Sequence, residues 1–295
     1  MRVSVIIPVL NDPRLRQCLE GLESQTLPHS EFEVLVVDNG SENPPRDLVK
    51  TFSFARLLTE PKPGSFAARN LALTEARGEV VAFTDSDCIP EKDWLEEGIA
   101  RIEAAENLVL VGGHVQVFAR EDQEPNSAEL IDMVFGFNQE KSITTAGYAV
   151  TANLFAPRES FEVVGDFNTK LLSGGDGEWC CRAGDAGIPI HYCPTAIVKH
   201  PARDSLKARL EKRRRVVGGR IARNRESKRS PFAYIRVVLG TLFPDFTAMG
   251  LARRRLRARG YGFGAWLKVV SVLTVMHYAG VLEIVRVRLG DSPKR

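Results

Sequence analysis

Apolar residues in this chain come in short unbroken runs separated by segments of helical spacing. Val3, Val5, Ile6 and Ile7 lead into Pro8, residues 32–37 read FEVLVV, and residues 80–84 read VVAFT. Runs of this length suit strands covered on both faces, as in a parallel sheet. Between them, residues 15–25 place Leu15, Leu19 and Leu22 on one side of a helix, and residues 47–51, 66–76 and 94–105 read as further helices. Two more strands are expected at 108–111 and 113–118, and another at 195–199. Strand and helix in alternation predict an α/β domain with a mostly parallel central sheet flanked by helices. Ligands of such sheets sit beyond the carboxyl ends of the strands, and two early strands end in acids, Asp38 and Asp85.

The pattern changes after about residue 200. Residues 206–225 are helical and very basic, 232–246 are apolar between prolines, 253–259 are an arginine cluster, and 266–287 are apolar again. Charge sharpens this boundary. Residues 1–200 carry 17 Lys/Arg against 31 Asp/Glu, a net of −14, whereas residues 201–295 carry 23 against 6, a net of +17. Such asymmetry predicts a basic segment that meets an anionic partner. The uncharged stretch 269–282 is shorter than the roughly 20 residues of a spanning helix. The expectation is therefore an interfacial or re-entrant helix on the cytoplasmic membrane surface, with packing on the first domain as the alternative. The division expected is 1–205 for the α/β domain and 206–295 for a basic, helical, membrane-associating region. The five cysteines form no Cys-x-x-Cys pair, so reduced thiols are expected rather than a zinc site or disulfide framework. Met1-Arg2 leads straight into an apolar run broken by Pro8, which does not read as a signal peptide, so the first domain is expected at the cytoplasmic face.

The strongest chemical signal is Thr84-Asp85-Ser86-Asp87. Two acids one residue apart, at the abrupt end of a buried strand, offer oxygen ligands to a hard cation such as Mg²⁺ or Mn²⁺, which in turn bridges to a diphosphate. Helix capping by Asp87 is the competing reading.

With these residues in view, the chain resembles glycosyltransferase family 2, the inverting nucleotide-sugar enzymes of the GT-A fold. The resemblance covers about residues 1–200. It rests on five pieces in order: Val5-Ile6-Ile7-Pro8-Val9, Val36-Val37-Asp38-Asn39-Gly40-Ser41, Gly64-Ser65-Phe66-Ala67-Ala68-Arg69-Asn70, Gly78 through Asp87, and Val164-Gly165-Asp166-Phe167 followed by Gly175-Asp176-Gly177-Glu178-Trp179. The resemblance implies that Pro8, Val9 and Asn11 line the nucleoside and that Asp38 accepts a hydrogen bond from the base. It implies that Asp85, Ser86 and Asp87 hold the donor, Asp85 through the ribose or a metal-bound water, and that Asp87 binds the metal. His200 is a third metal ligand by the same resemblance, or an ordinary core residue. Arg69 reaches a phosphate or forms a structural ion pair with Asp85. Asp176 matches the carboxylate that deprotonates the acceptor hydroxyl. The family shows Glu-Asp at this place, and this chain has Gly175-Asp176, with Glu178 as the rival base. Asn153, Glu178 and Trp179 fall near the acceptor, with a core role as the alternative for Trp179. Lys212-Arg213-Arg214-Arg215 and Arg220 stand where the family meets the diphosphate, but no aromatic follows them.

The implied activity is transfer of a sugar from a nucleotide-sugar donor, UDP-linked by expectation, to a lipid-linked or glycan acceptor. Two alternatives compete. A sugar-phosphate nucleotidyltransferase would want a Gly-rich loop after the first strand, where this chain has Pro8-Val9-Leu10-Asn11-Asp12. A nucleic-acid-binding protein would use the basic region, but aromatics are sparse there and no reader motif occurs, so nucleic acid is not expected as a partner.

Overall fold

A computed structural model describes residues 1–120, 123–171, 173–207, 209–212, 214 and 245–288. The chain forms two compact units, one of Met1–Gln116, Phe137–Lys170 and Gly175–His200, the other of Val117–Gly136, Leu171–Gly174 and Pro201–Arg295.

The first unit is built on a sheet in which β1 (Val3–Val9), β2 (Phe32–Asp38), β3 (Ala55–Thr59) and β4 (Val80–Thr84) run parallel in the order β3-β2-β1-β4. Beyond β4 the sheet continues with β7 (Asn153–Pro157), β6 (Leu110–Phe118), β8 (Ile190–Pro201) and the short β5 (Ile89–Pro90). Here the pairings of β4 with β7, β6 with β7 and β5 with β8 are antiparallel. The result is a mixed sheet with helices on both faces.

Alternation within each buried run explains the unbroken apolarity. Val3, Val5, Ile7 and Val9 of β1, with Val34 and Val36 of β2, enter one core with Leu15, Leu19 and Leu22 of α1 (Leu15–Glu23) and Trp94, Leu95 and Ile99 of α4 (Trp94–Glu103). Ile6, Leu35, Val37, Val81 and Phe83 face the other way. They pack on Phe66, Ala68 and Ala72 of α3 (Ser65–Glu75) and on Trp179, Cys180 and Ala183 of α8 (Gly175–Asp185). Both faces are covered, so every second residue buries on one side and its neighbours on the other.

The expected strands at 108–111 and 113–118 are one strand, β6. Gly112 and Gly113 are not a turn. A Cβ at Gly112 would stand 2.5 Å from Ile143 Cδ1, and one at Gly113 would stand 2.3 Å from the Ala196 carbonyl oxygen, so the glycines are there for close packing inside the sheet. The strand expected at 195–199 is longer and contains His200. β3 and the helices α5 (Ser127–Phe135), α6 (Gln139–Ala146) and α7 (Glu159–Val164) had no sequence expectation.

The second unit gathers α5, α9 (Phe246–Ala258) and α10 (Phe263–Arg288) around Leu130, Ile131, Val134, Ala252, Leu256, Val269 and Val272. Asn126 and Glu129 form a reciprocal capping box at the start of α5. Asp132 on α5 pairs with Arg203 at 3.3 Å and with Arg209. α10 is longer than the uncharged stretch 269–282 alone implies, because Glu283 is buried and pairs with Arg286 at 2.7 Å. Phe263–Arg286 is long and apolar enough to cross a membrane by length and composition, with 28% of its most apolar stretch buried inside the protein. Of the basic tract, Arg213, Arg215 and Arg220 lie outside the described residues, as do the apolar residues 232–244.

All five cysteines are free thiols, and Cys181 alone is exposed. Burial raises the Cys18 and Cys88 thiols far above the ordinary range and brings Cys180 to about 12.

Two glycine substitutions test this packing by urea unfolding. Gly98→Ala places a Cβ 2.3 Å from the Phe155 ring and lowers stability by about 2 kcal/mol. Gly184→Ala, on α8 with nothing within 4 Å, raises it by roughly 0.5–1 kcal/mol.

Candidate functional site

The parallel strands β1, β2 and β4 deliver their C-terminal residues to one edge of the sheet. Val9 lies in register with Asp38, so the end of β1 and the end of β2 form one rim. Asn11 follows with φ +50°, a left-handed backbone that asparagine tolerates. Its N–H donates to Ser41 Oγ at 2.9 Å, and its Oδ1 accepts from the Glu42 N–H at 2.9 Å. Val9, Asn11, Asp12, Pro13, Ser41 and Leu48 help line an open cavity of about 310 Å³. Asp38 is buried at the root of this rim and accepts from the Ser41 N–H at 3.2 Å. Pro8, paired with Val37, supports the wall from within the sheet.

Asn39, which carried no expected role, fixes the rim. Its Nδ2 donates to the Glu60 and Lys62 carbonyls at 2.9 and 2.8 Å, and its Oδ1 accepts from the Gly64 N–H at 2.7 Å. One side chain thus ties the end of β2 to the loop that opens α3.

At the end of β4 the acids separate in role. Asp85 Oδ1 accepts from Arg69 Nη2 at 2.6 Å. Arg69 is 3% exposed and its Nε has no partner. Its guanidinium carbon lies 5.8 Å from the Phe66 ring centroid. Arg69 thus forms an ion pair with Asp85 from a buried position. Ser86 Oγ donates to Asp12 Oδ2 at 3.0 Å. Asp87 does not cap the following helix, where Asp93 holds the N-cap position. Its carboxylate lies 3.4 Å from Arg14 and 3.6 Å from His200 Nε2. Burial pushes the Asp87 carboxyl up, against the opposing pull of His200. The pair Asp12 and Arg14, absent from the sequence expectations, braces this cluster through a 2.8 Å ion pair.

The donor set fits a hard divalent cation. Asp87 and His200 stand at a separation too long for a hydrogen bond, a span that two ligands at about 2.1 Å from one ion bridge. The Cys88 thiol is also close to both, but soft sulfur suits a hard Mg²⁺ or Mn²⁺ poorly.

Asp176 lies in the first turn of α8, with its Oδ1 accepting from the Gly177 N–H at 2.9 Å. Burial raises its pKa; the Gly177 and Thr151 amides and the charge of Arg69 oppose that, while Asp85 adds to it. Arg69 is thus flanked by two acids, one bound directly and one through space. A Cβ at Gly175 would stand 2.6 Å from the Phe66 ring. The phenyl ring leaves no room for a side chain at Gly175.

The three expected acceptor residues have other tasks. Asn153 is fully buried and its amide is saturated: Nδ2 donates to the His114 and Ala196 carbonyls, each at 2.9 Å, and Oδ1 accepts from Trp94 Nε1 at 2.9 Å. It staples β7 to β6, β8 and α4. Trp179 is fully buried, stacked on Phe161 at 4.5 Å, with Nε1 donating to the Gly165 carbonyl at 2.8 Å. No sugar face can reach it. Glu178 pairs with Arg182 at 2.8 Å, and Arg182 also donates to the Val164 and Asp166 carbonyls. Glu178 and Arg182 thereby anchor the loop before α8.

Comparison with known proteins follows this geometry. The profile of glycosyl transferase family 2 matches residues 4–163. The glycosyltransferase AglE of Haloferax volcanii is 40% identical over 210 residues, 68% of this chain and 67% of that protein. The pre-mycofactocin glycosyltransferase of Mycobacterium tuberculosis is 27% identical over 305 aligned positions, spanning 96% of this chain but 63% of its own length. The chain thus covers about two thirds of the length of these relatives. Among solved structures, the mannosyltransferase PcManGT of Pyrobaculum calidifontis, in complex with GDP-Man and Mn²⁺, superposes with a TM-score of 0.64 at 21% identity, over 97% of this chain and 86% of that one. Residues 1–349 of Staphylococcus aureus TarS, in complex with UDP, superpose with a TM-score of 0.53 at 17% identity, over 99% and 92%. These likenesses place the fold as GT-A.

Two substitutions test the roles above. Asn153→Ala strands buried donors and acceptors and lowers stability in urea by about 3 kcal/mol. Asp176→Asn removes a carboxyl whose folded pKa is raised. The ionised form is disfavoured by folding, so the wild type loses stability as pH rises through that value. The variant is then the more stable protein at pH 7, and the gap closes as pH falls toward about 4, the ordinary carboxylate range. Thermal unfolding across pH reads this directly.

Proposed function

The chain belongs to glycosyl transferase family 2, and on that premise we propose that it moves a sugar from a nucleotide-sugar donor to an acceptor hydroxyl by one inverting displacement. The observation that carries the reading is the gathering of Asp85, Asp87 and His200 at one strand edge, with Asp176 within electrostatic reach of the Arg69 that holds Asp85. The rim of Pro8, Val9 and Asn11 receives the nucleoside. Asp38 accepts from the N–H of its base, which favours a uracil donor; GDP-Man in the mannosyltransferase relative makes guanine the competitor. Asp85 and Ser86 face the ribose and diphosphate.

Asp87 and His200, with Asp85 beside them, would hold Mg²⁺ or Mn²⁺. When bound, the cation supplies positive charge against the departing diphosphate. The chain's own residues do the rest. Arg69 keeps Asp85 in place and offsets the field of neighbouring carboxylates. Asp176 takes the proton of the acceptor hydroxyl as its oxygen attacks the anomeric carbon. A base with a raised pKa suits the task, because its proton affinity is closer to that of the working pH.

The acceptor we propose is a lipid-linked sugar or a growing glycan at the cytoplasmic face of a membrane. Support comes from the second unit. α10 exposes Phe263, Leu267, Val275, Tyr278, Leu282 and Val285 along one stripe, and Arg253, Arg254, Arg257 and Arg259 lie on or just beyond α9. Apolar residues beside arginines suit an anionic lipid surface.

A donor screen tests the activity. Protein in detergent is mixed with UDP- and GDP-linked sugars, with Mn²⁺, Mg²⁺ or chelator, and released nucleoside diphosphate is measured. Release from one donor, lost with chelator and reduced about 100-fold or more in Asp87→Ala, is expected. No release, together with no calorimetric binding of either diphosphate in the presence of metal, sinks the reading. With the donor known, kcat/KM rises with pH through a midpoint above about 4, because burial raises the Asp176 pKa. An acid limb at or below that value would remove Asp176 as the base.

A further inference from the structure

The residue expected to stack on the acceptor, Trp179, is sealed in the core, which leaves the neighbourhood of Asp176 without an assigned platform. The loop between α6 and β7 supplies one. α6 ends at Gly147 with φ +64°, whose N–H donates to the Ile143 carbonyl at 3.0 Å. The next four residues are tied down one after another. The Tyr148 N–H donates to the Ser142 carbonyl at 3.4 Å, the Ala149 carbonyl accepts from Cys180 Sγ at 3.7 Å, and the Val150 N–H donates to Gln139 Oε1 at 2.9 Å. The Thr151 amide reaches the Asp176 carboxylate. Tyr148 is partly buried, packed on the cluster that holds Phe66 and Trp179. Its ring lies over Gly177: a Cβ added there would meet Tyr148 Cδ2 at 3.6 Å and Cγ at 3.7 Å.

The base therefore stands between two glycines, each facing an aromatic ring. At Gly175 the Phe66 ring leaves no room for a side chain. At Gly177 the gap is one methyl wide and the ring is only partly buried. Aromatic faces favour the C–H face of a pyranose, a flat apolar surface that a ring-free polyol or a phosphate does not present.

We infer that Tyr148 is a stacking platform for the acceptor, so that the hydroxyl activated by Asp176 is carried on a sugar ring. The inference rests on the proposed role of Asp176. It places the reacting ring of the proposed sugar acceptor against Tyr148.

The test compares methyl glycosides of the common hexoses with ribitol as the ring-free probe, using the full chain and the donor from the screen. Tyr148→Phe keeps the ring and stays near wild type. Tyr148→Leu raises acceptor KM about five- to tenfold with kcat within about twofold, the loss expected for one stacking contact. Gly177→Ala, whose Cβ stands at ordinary contact distance from the ring, folds normally. Saturation-transfer NMR, with the nucleoside diphosphate present, reports binding apart from turnover: the ring C–H protons of the glycoside are saturated by wild type and not by Tyr148→Leu. Equal use of ribitol and glycosides, an unchanged KM in Tyr148→Leu, or no saturation of any glycoside by wild type overturns the inference. Calorimetric binding of the nucleoside diphosphate keeps the two readings apart. If it binds and Tyr148→Leu changes nothing, the platform alone fails; if it does not bind wild type, the donor reading fails first.

Discussion

Carboxylates repel one another, and this fold gathers Asp12, Asp85, Asp87 and Asp176 around the ends of a few strands. The Arg69 guanidinium is what makes the gathering tolerable. It is buried, it holds Asp85 at 2.6 Å, and its charge counters part of the burial penalty on Asp176. Arg14 and His200 do the same for Asp12 and Asp87 at the outer edge. A buried cation between two acids costs desolvation, which is repaid only when the geometry is fixed. The geometry here is fixed by α3, whose Phe66 packs beneath Arg69, and by the sheet, which sets the spacing of β1, β2 and β4. The unpartnered Nε of Arg69 shows that the arrangement is not saturated by the protein's own groups.

Much of the first unit was legible in the sequence because burial on both faces leaves a plain signature. β1, β2 and β4 and helices α1, α3 and α4 fall within a residue or two of their expected limits. β3 lacked that signature, since its residues are mostly half-buried. Gly112-Gly113 was misread because a glycine pair signals a turn as readily as a close approach. The closeness of Asp87 and His200 was anticipated only through the family resemblance, whereas Asp38 and Asp85 were legible from strand ends. Asn153 and Trp179 were not, because a polar or aromatic residue near a motif looks the same whether it faces a ligand or the interior. Only the hydrogen-bond inventory separates them: Asn153 spends every donor and acceptor on backbone or on Trp94. The ion pair of Glu178 with Arg182 was likewise hidden, because it is identifiable only once the helix register is known.

The two units differ in what holds them. The first rests on a sheet with two dry faces. The second rests on a small cluster between three helices and on the acids of α5: Glu129 pairs with the nearby Arg120, and Asp132 with Arg203 and Arg209 far along the chain. On α10, Phe263, Leu267, Val275, Tyr278, Leu282 and Val285 stay exposed.

The thiols have a practical consequence. A thiol reacts as its thiolate, and burial suppresses that form. Four of the five cysteines are buried, so at neutral pH a maleimide dye has one ready target, Cys181, on α8 five residues from the carboxylate assigned as base. The chain therefore arrives with a natural attachment point for a fluorescent reporter beside its own chemistry, and movements of α8 during turnover can be followed without engineering any cysteine in or out.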